Sequence, residues 1–118
     1  IPAIPSFDKN HLIKHGVKNS HIVIEKVNSL TVKDLLNKYQ IKNLDLFFVD
    51  TEGYDGHIVS DLLNETNQRP IIIFEYVHID NKVFENLIKL LISKKFLYFS
   101  LSECVVVFPE EENIEISF

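Results

Sequence analysis

Two uninterrupted apolar runs constrain the fold more than any other feature of this sequence. Residues 44–49 read LDLFFV, and residues 70–77 read PIIIFEYV. Strands that are apolar without alternation are typical of a sheet that is covered on both faces. Helical spacing of apolar residues follows each run, over about 56–66 and 81–94. The sequence therefore predicts an α/β fold: a mostly parallel sheet with right-handed crossovers and helices on both faces.

The rest of the chain extends this pattern within one domain over 1–118. The further predicted elements are, in chain order, a helix over 8–15, a strand over 21–27, a helix over 31–40, and strands over 96–101 and 104–108. Ser102 and Glu103 alone separate the last two strands. So short a connection predicts a C-terminal antiparallel hairpin.

Composition argues against two classes of partner. The formal net charge is −5, and Lys and Arg are scattered, whereas a nucleic-acid-binding face needs clustered basic residues. The apolar runs fall far short of the roughly 20 residues that span a membrane. Cys104 is the single cysteine, so no intrachain disulfide can form. With no recognisable signal peptide, we expect a cytoplasmic protein that binds neither nucleic acid nor membrane.

An acidic turn, VDTEGYDG at 49–56, follows the first apolar run. Glu75 and His78 follow the second one, in EYVHID. Ligands of parallel sheets collect at the carboxyl ends of the strands. If the two strands are neighbours, Asp50 and Glu75 lie about 5–10 Å apart, given a strand spacing of ~4.8 Å. This end of the sheet is the predicted site.

Two kinds of chemistry suit Asp50, Glu52, Glu75 and His78. Hard carboxylates with one imidazole can hold a divalent cation such as Mg²⁺, with Asp50 and Glu52 as its ligands. Alternatively, a carboxylate or His78 acts as a general base on a substrate hydroxyl. The spacing alone does not decide between them.

Structural interpretations compete with these functional ones. Asp55 is a candidate cap of the helix that follows, with Gly53 and Gly56 giving the turn its backbone freedom. His57 is expected at the surface. Cys104, in CVVVF, is expected in the core and not as a nucleophile.

Three longer segments resemble the C-terminal half of the FkbM family of S-adenosylmethionine-dependent methyltransferases. They are VNSLTVKDLLNKYQIKNLDLFFVDTEGYDGHIV, with Asp-x-Glu-Gly after a strand, then RPIIIFEYVHI and LLISKKFLYFSLSECVVVFP. The resemblance covers about 27–108. It implies part of a Rossmann-like methyltransferase sheet, with the last strand inserted antiparallel between the two before it.

The resemblance also implies an activity: O-methylation of a hydroxyl on a small sugar or polyketide-like acceptor. Asp50 and Glu52 would line the reaction centre, with Asp50 and Thr51 beside the S-adenosylmethionine. Glu75 and His78 would face the acceptor. The family resemblance alone implies these roles, and the spacing of the residues does not.

The chain departs from the family in its glycines. It has three, Gly16, Gly53 and Gly56, and none forms the Gly-x-Gly turn after a strand on which donor binding depends. We therefore expect a fragment without the donor-binding half. Its strand at 44–49 would then be an exposed sheet edge, suited to a homodimer. Two alternatives stay open, a non-catalytic module that binds a small molecule or metal, and a metal-dependent hydrolase.

Overall fold

The computed structural model describes residues 3–4, 12–15, 21–26, 31–51 and 53–111. Its strands are β1 Ala3–Ile4, β2 Leu12–His15, β3 His21–Lys26, β4 Leu46–Val49, β5 Ile71–Glu75, β6 Phe96–Leu101 and β7 Cys104–Pro109. Its helices are α1 Val32–Lys38, α2 Asp55–Glu65 and α3 Asn81–Ser93.

The strands form one mixed sheet in the order β1-β2-β3-β4-β5-β7-β6. β3, β4 and β5 are parallel neighbours, and β7 lies antiparallel between β5 and β6. The predicted α/β class, the parallel strands and the C-terminal hairpin are confirmed. So is the insertion of the last strand that the family resemblance implies.

The helices of the described residues cover one face of this sheet. Burial alternates along β4 and β5: Phe47 and Ile72 are fully buried, whereas their neighbours Phe48 and Ile73 are half-buried. α2 contacts both α1 and α3, so the three helices form one layer. Helices were expected on both faces of the sheet. Within the described part of the chain they cover one of the two.

The helix predicted over 8–15 is wrong where it can be examined. Residues 12–15 form β2, which pairs antiparallel with β3, and residues 8–11 lie outside the described residues. A helix of two turns carries the full cost of nucleation. Pairing with β3 instead satisfies the backbone groups of this segment.

The strand predicted over 44–49 is not a sheet edge. β4 pairs in parallel with β3 on one side and with β5 on the other. The sequence predicted the strand at 21–27 but did not place it beside β4. β4 therefore offers no free edge for the expected homodimer, and whether the chain forms a dimer stays a prediction.

The helices begin at the residues that the sequence indicates. Thr31 and Asp34 form a capping box at the start of α1, and the Asp80 side chain accepts bonds from the first backbone N–H groups of α3. α2 starts after Tyr54, which provides no side-chain cap. Among the described residues, no helix combines the length and the apolar character needed to cross a membrane.

Gly56 sets how closely α2 approaches α3. A Cβ atom at Gly56 would lie 2.9 Å from Cγ1 of Val83, at the start of α3, and 3.6 Å from the Ile79 side chain. The first distance is shorter than a van der Waals contact. The glycine is therefore required by helix packing.

We expect Gly56→Ala to lower the free energy of unfolding by about 1–3 kcal/mol, because the added methyl overpacks this contact. Urea denaturation measures the change. The matched experiment repeats the substitution in a Val83→Ala background, where the clashing methyl is gone and the cost should largely disappear. An equal cost in both backgrounds would contradict the packing explanation.

Candidate functional site

Asp50 and Glu75 lie side by side at the carboxyl ends of β4 and β5. Val49 pairs with Phe74 in the parallel register, and Asp50 and Glu75 are the next residues of the two strands. Neighbouring strands are ~4.8 Å apart. The Asp50 backbone N–H also donates to the carbonyl of Ile24 in β3, at 2.8 Å. The predicted proximity of the two carboxylates follows from this register.

Asp55 ties this end of the sheet together. Its carboxylate is 0% exposed. Oδ1 accepts hydrogen bonds from the backbone N–H of Thr51, at 2.8 Å, and from the Thr51 hydroxyl. Oδ2 accepts from the backbone N–H of Glu75, at 3.0 Å. One buried side chain therefore joins the turn after β4 to the end of β5.

The sequence interpretation of Asp55 as a helix cap is thereby corrected. Asp55 is the first residue of α2, but its oxygens bind Thr51 and Glu75. Both donor groups of Thr51, its N–H and its hydroxyl, are directed to Asp55. The role of Thr51 in cofactor binding stays a prediction, and Thr51 could take part in it only as an acceptor, through its hydroxyl oxygen or its backbone carbonyl.

Glu75 and His78 form a pair at the edge of the site. His78 Nε2 lies 3.3 Å from Glu75 Oε1. The His78 side chain is 58% exposed and that of Glu75 is 21% exposed. The carboxylate is thus held inside the site while the imidazole is reachable from solvent. A molecule that binds here can approach the imidazole directly.

Gly53 brings the acidic turn against the loop that carries His78. Its φ of +108° is disfavoured for residues with a side chain, and a Cβ atom would lie 3.3 Å from the His78 carbonyl oxygen. The two loops that carry the site residues are therefore in close contact at this glycine.

Cys104 also belongs to this site, which the sequence interpretation missed. It is the first residue of β7 and pairs with Glu75 across the sheet. Burial raises the pKa of the half-buried thiol, and the nearby carboxylates of Glu75 and Asp50 raise it further. The thiol is therefore neutral near pH 7, as expected for a residue that is not a nucleophile. Only the insertion of β7 beside β5 reveals its position.

Tyr76 connects the site to the β6–β7 turn. Its backbone N–H donates to the carbonyl of Glu103 at 3.1 Å, and its hydroxyl donates to the carbonyl of Ser102 at 3.2 Å. Its ring packs near that of Phe84, with centroids 5.9 Å apart. The residue after Glu75 is therefore fixed by both its backbone and its side chain.

Of the two proposed metal ligands, Asp50 lies among the described residues and Glu52 does not, so the structure does not test whether they come together. Within residues 31–51 and 53–111 and the shorter described segments, no group of three or more His, Cys, Asp or Glu side chains could hold a metal ion. Asp50 is exposed there. Glu52 lies outside the described residues, so its metal and catalytic roles stay predictions.

A cavity elsewhere in the fold does not compete as a catalytic site. The cavity lies near the N-terminal ends of β5 and β6, at the end of the sheet opposite Glu75. Arg69 is its most basic lining residue. The Arg69 guanidinium donates to the carbonyls of Lys94 and Lys95, both at 2.8 Å, and lies 4.5 Å from the Phe96 ring centroid. The Arg69 guanidinium therefore binds the carbonyl groups that follow the C-terminal end of α3.

A protein-family model for the methyltransferase FkbM domain matches residues 3–99. The match includes β1 to β5 and most of β6, and so takes in the acidic turn and the Glu75–His78 pair. Comparisons with curated proteins and with solved structures gave no match.

We expect Asp55→Asn to lower the free energy of unfolding by about 1–3 kcal/mol, because the amide nitrogen would face a backbone donor. Asp61→Asn is the matched control. Its Oδ2 accepts a bond from the backbone N–H of Val32 at 2.7 Å, away from the site, and an amide oxygen can keep that bond. Urea denaturation and the amide chemical shift of Glu75 provide the two readouts. Equal changes in stability and in the Glu75 chemical shift for the two substitutions would contradict the conclusion that Asp55 joins the turn after β4 to the end of β5.

We expect Cys104 to react slowly with iodoacetamide at pH 8, because only the thiolate reacts and the pKa of the thiol is raised. Glu75→Gln removes one cause of that increase, so it should lower the apparent pKa in the rate-versus-pH profile and speed alkylation. Glu110→Gln, beyond the far end of β7, should change neither. A profile unmoved by Glu75→Gln would show that the carboxylate does not act on Cys104.

Proposed function

Because the chain belongs to the FkbM methyltransferase domain family, we propose that it methylates a hydroxyl of a small sugar or polyketide-like acceptor with S-adenosylmethionine as donor. The observation that carries this proposal is the Glu75–His78 pair, 3.3 Å apart at the carboxyl end of β5. A hydroxyl is a weak nucleophile until a base takes its proton. The site supplies such a base.

The pair assigns a role to each residue. When Nε2 of neutral His78 carries the proton and donates to Glu75, Nδ1 becomes the acceptor nitrogen. Nδ1 then takes the acceptor's hydroxyl proton. The imidazolium that forms is stabilised by the Glu75 carboxylate, and Asp50 on the neighbouring strand adds negative charge nearby. The hydroxyl oxygen is left as the nucleophile.

Asp55 prepares this base without touching the acceptor. It fixes the backbone of Glu75 through Oδ2 and the turn after Asp50 through Oδ1. Correct placement of a base within hydrogen-bonding reach is worth a large part of its catalytic effect. Asp55 is in this sense a positioning residue.

The described residues do not fit a binding site for the donor. In this fold, glycines let the backbone approach the donor closely. Here Gly53 is in contact with the His78 loop, and Gly56 is in contact with α3. Both are therefore used in packing, and no other glycine lies among the described residues. These residues explain activation of the acceptor and do not explain binding of the donor.

That mismatch favours one second candidate, a module that binds a small polyol or a divalent cation at Asp50 and Glu75 without chemistry. The net charge of −5 and the single cysteine support a small-molecule partner and a cytoplasmic location for either candidate. The two candidates differ in one requirement, because methylation needs donor binding and the module does not.

Methyl transfer from labelled S-adenosylmethionine to a panel of sugar and polyketide-like alcohols tests the proposal, with calorimetric titration of the donor alongside. We expect a methyl ether as product. We expect His78→Gln and Glu75→Gln each to lower kcat about 10²-fold or more, the range for loss of a general base. His57→Gln is the matched control, because His57 is exposed and its ring lies tilted against that of Tyr54, 5.0 Å between ring centroids.

Two results would overturn this assignment. An unchanged kcat in both the His78 and the Glu75 variants would exclude the pair as the base. Binding of polyols or Mg²⁺ without any donor binding or methylated product would establish the binding module instead.

A further inference from the structure

A tight turn carries His78 back to Glu75. The backbone N–H of Ile79 donates to the carbonyl of Tyr76, at 3.0 Å, and so closes a four-residue turn over 76–79. His78 is one of its two central residues and is exposed. Its Nε2 lies 3.3 Å from Glu75 Oε1. The geometry of the Glu75–His78 pair therefore depends on how firmly the two ends of this turn are held.

The second end of the turn is held by packing against the helices. Ile79 is 7% exposed, and its side chain would lie 3.6 Å from a Cβ atom at Gly56 in α2. The next residue, Asp80, caps α3 by accepting bonds from the first backbone N–H groups of that helix. The chain after His78 is thus fixed by the helix layer, so the remaining freedom of the turn lies at its first end.

The first end is held by two bonds from Tyr76 to the turn between β6 and β7. Its backbone N–H donates to the carbonyl of Glu103, and its hydroxyl donates to the carbonyl of Ser102, at 3.2 Å. Tyr76 thus binds two successive carbonyls of a two-residue turn. The backbone bond extends the pairing of β5 with β7. The hydroxyl bond is additional, and a phenylalanine could not form it.

We propose that Tyr76 is a positioning residue for methyl transfer, and that it acts through the Glu75–His78 pair. This inference rests on the proposed function. The hydroxyl of Tyr76 donates its proton to Ser102, so Tyr76 takes no part in activating the acceptor. It holds the start of the turn in one orientation instead. Displacement of a catalytic group by about 1 Å can lower a rate about 10²-fold, so a small shift of the imidazole is enough to matter.

Tyr76 and Asp55 restrain the end of β5 from its two neighbouring strands. Asp55 accepts from the backbone N–H of Glu75 and is also bound by Thr51, in the turn after β4. The backbone N–H of the next residue, Tyr76, is directed to the hairpin that contains β7. The base is therefore held on both sides, and Asp55 alone does not account for the orientation of the turn after Glu75.

Tyr76→Phe isolates the hydroxyl, because phenylalanine keeps the ring that packs near Phe84, 5.9 Å between centroids. With labelled S-adenosylmethionine and the best acceptor of the panel, we expect kcat to fall about tenfold and KM for the acceptor to change less than about twofold. Tyr98→Phe is the matched control, since Tyr98 is exposed on β6 and its hydroxyl binds no other described residue; it should change neither constant. In a His78→Gln background, Tyr76→Phe should have no further effect.

Nuclear Overhauser effects between the His78 ring protons and the Glu75 Hγ protons measure the pair without donor or acceptor. We expect Tyr76→Phe to weaken them and Tyr98→Phe to leave them unchanged, with wild-type circular dichroism in both variants. This readout decides the role of Tyr76 even if no acceptor is methylated, a result that would count against the proposed function alone. An unchanged kcat in Tyr76→Phe, an equal loss with and without His78, or unchanged Overhauser effects would each overturn the assignment.

Discussion

The buried carboxylate of Asp55 is the interaction on which the arrangement of this site depends. Its burial would be unfavourable without partners, and three donors from Thr51 and Glu75 surround it. The backbone of two strand ends is thus organised around one charge. Asp55, the first residue of α2, binds the backbone of Glu75 and that of Thr51, the residue after Asp50. The hydrogen bond from the Glu75 backbone N–H to Asp55 thus also helps to fix the position of the Glu75–His78 pair.

Long, regular patterns in the sequence predict most of the fold. β4, β5 and α3 carry continuous or helical apolar spacing, and the connection through Ser102 and Glu103 allows little but a hairpin. The segment at 12–15 departs from its prediction because its pairing with β3 is a tertiary contact that outweighs a weak local preference. The places of Asp55 and Cys104 in the site escape prediction for a related reason. Their roles depend on where β5 and β7 lie in space, which local sequence does not encode.

The open face of the sheet and its free edge are parts of one surface. Phe48, Ile73, Val106 and Phe99 follow one another across four strands at matching register positions. This row has the orientation that the helices of the described residues leave uncovered. Within the described part of the chain, this apolar row therefore runs from β4 in the middle of the sheet to β6 at its edge.

The double attachment of Tyr76 has a consequence for local opening. Its N–H and its hydroxyl both hold the turn at Ser102 and Glu103, so the end of β5 cannot separate from the hairpin without breaking both bonds. These segments should therefore exchange their amide hydrogens as one cooperative unit. Glu75 directly precedes Tyr76, so an opening of this unit would also release the end of β5 that carries Glu75.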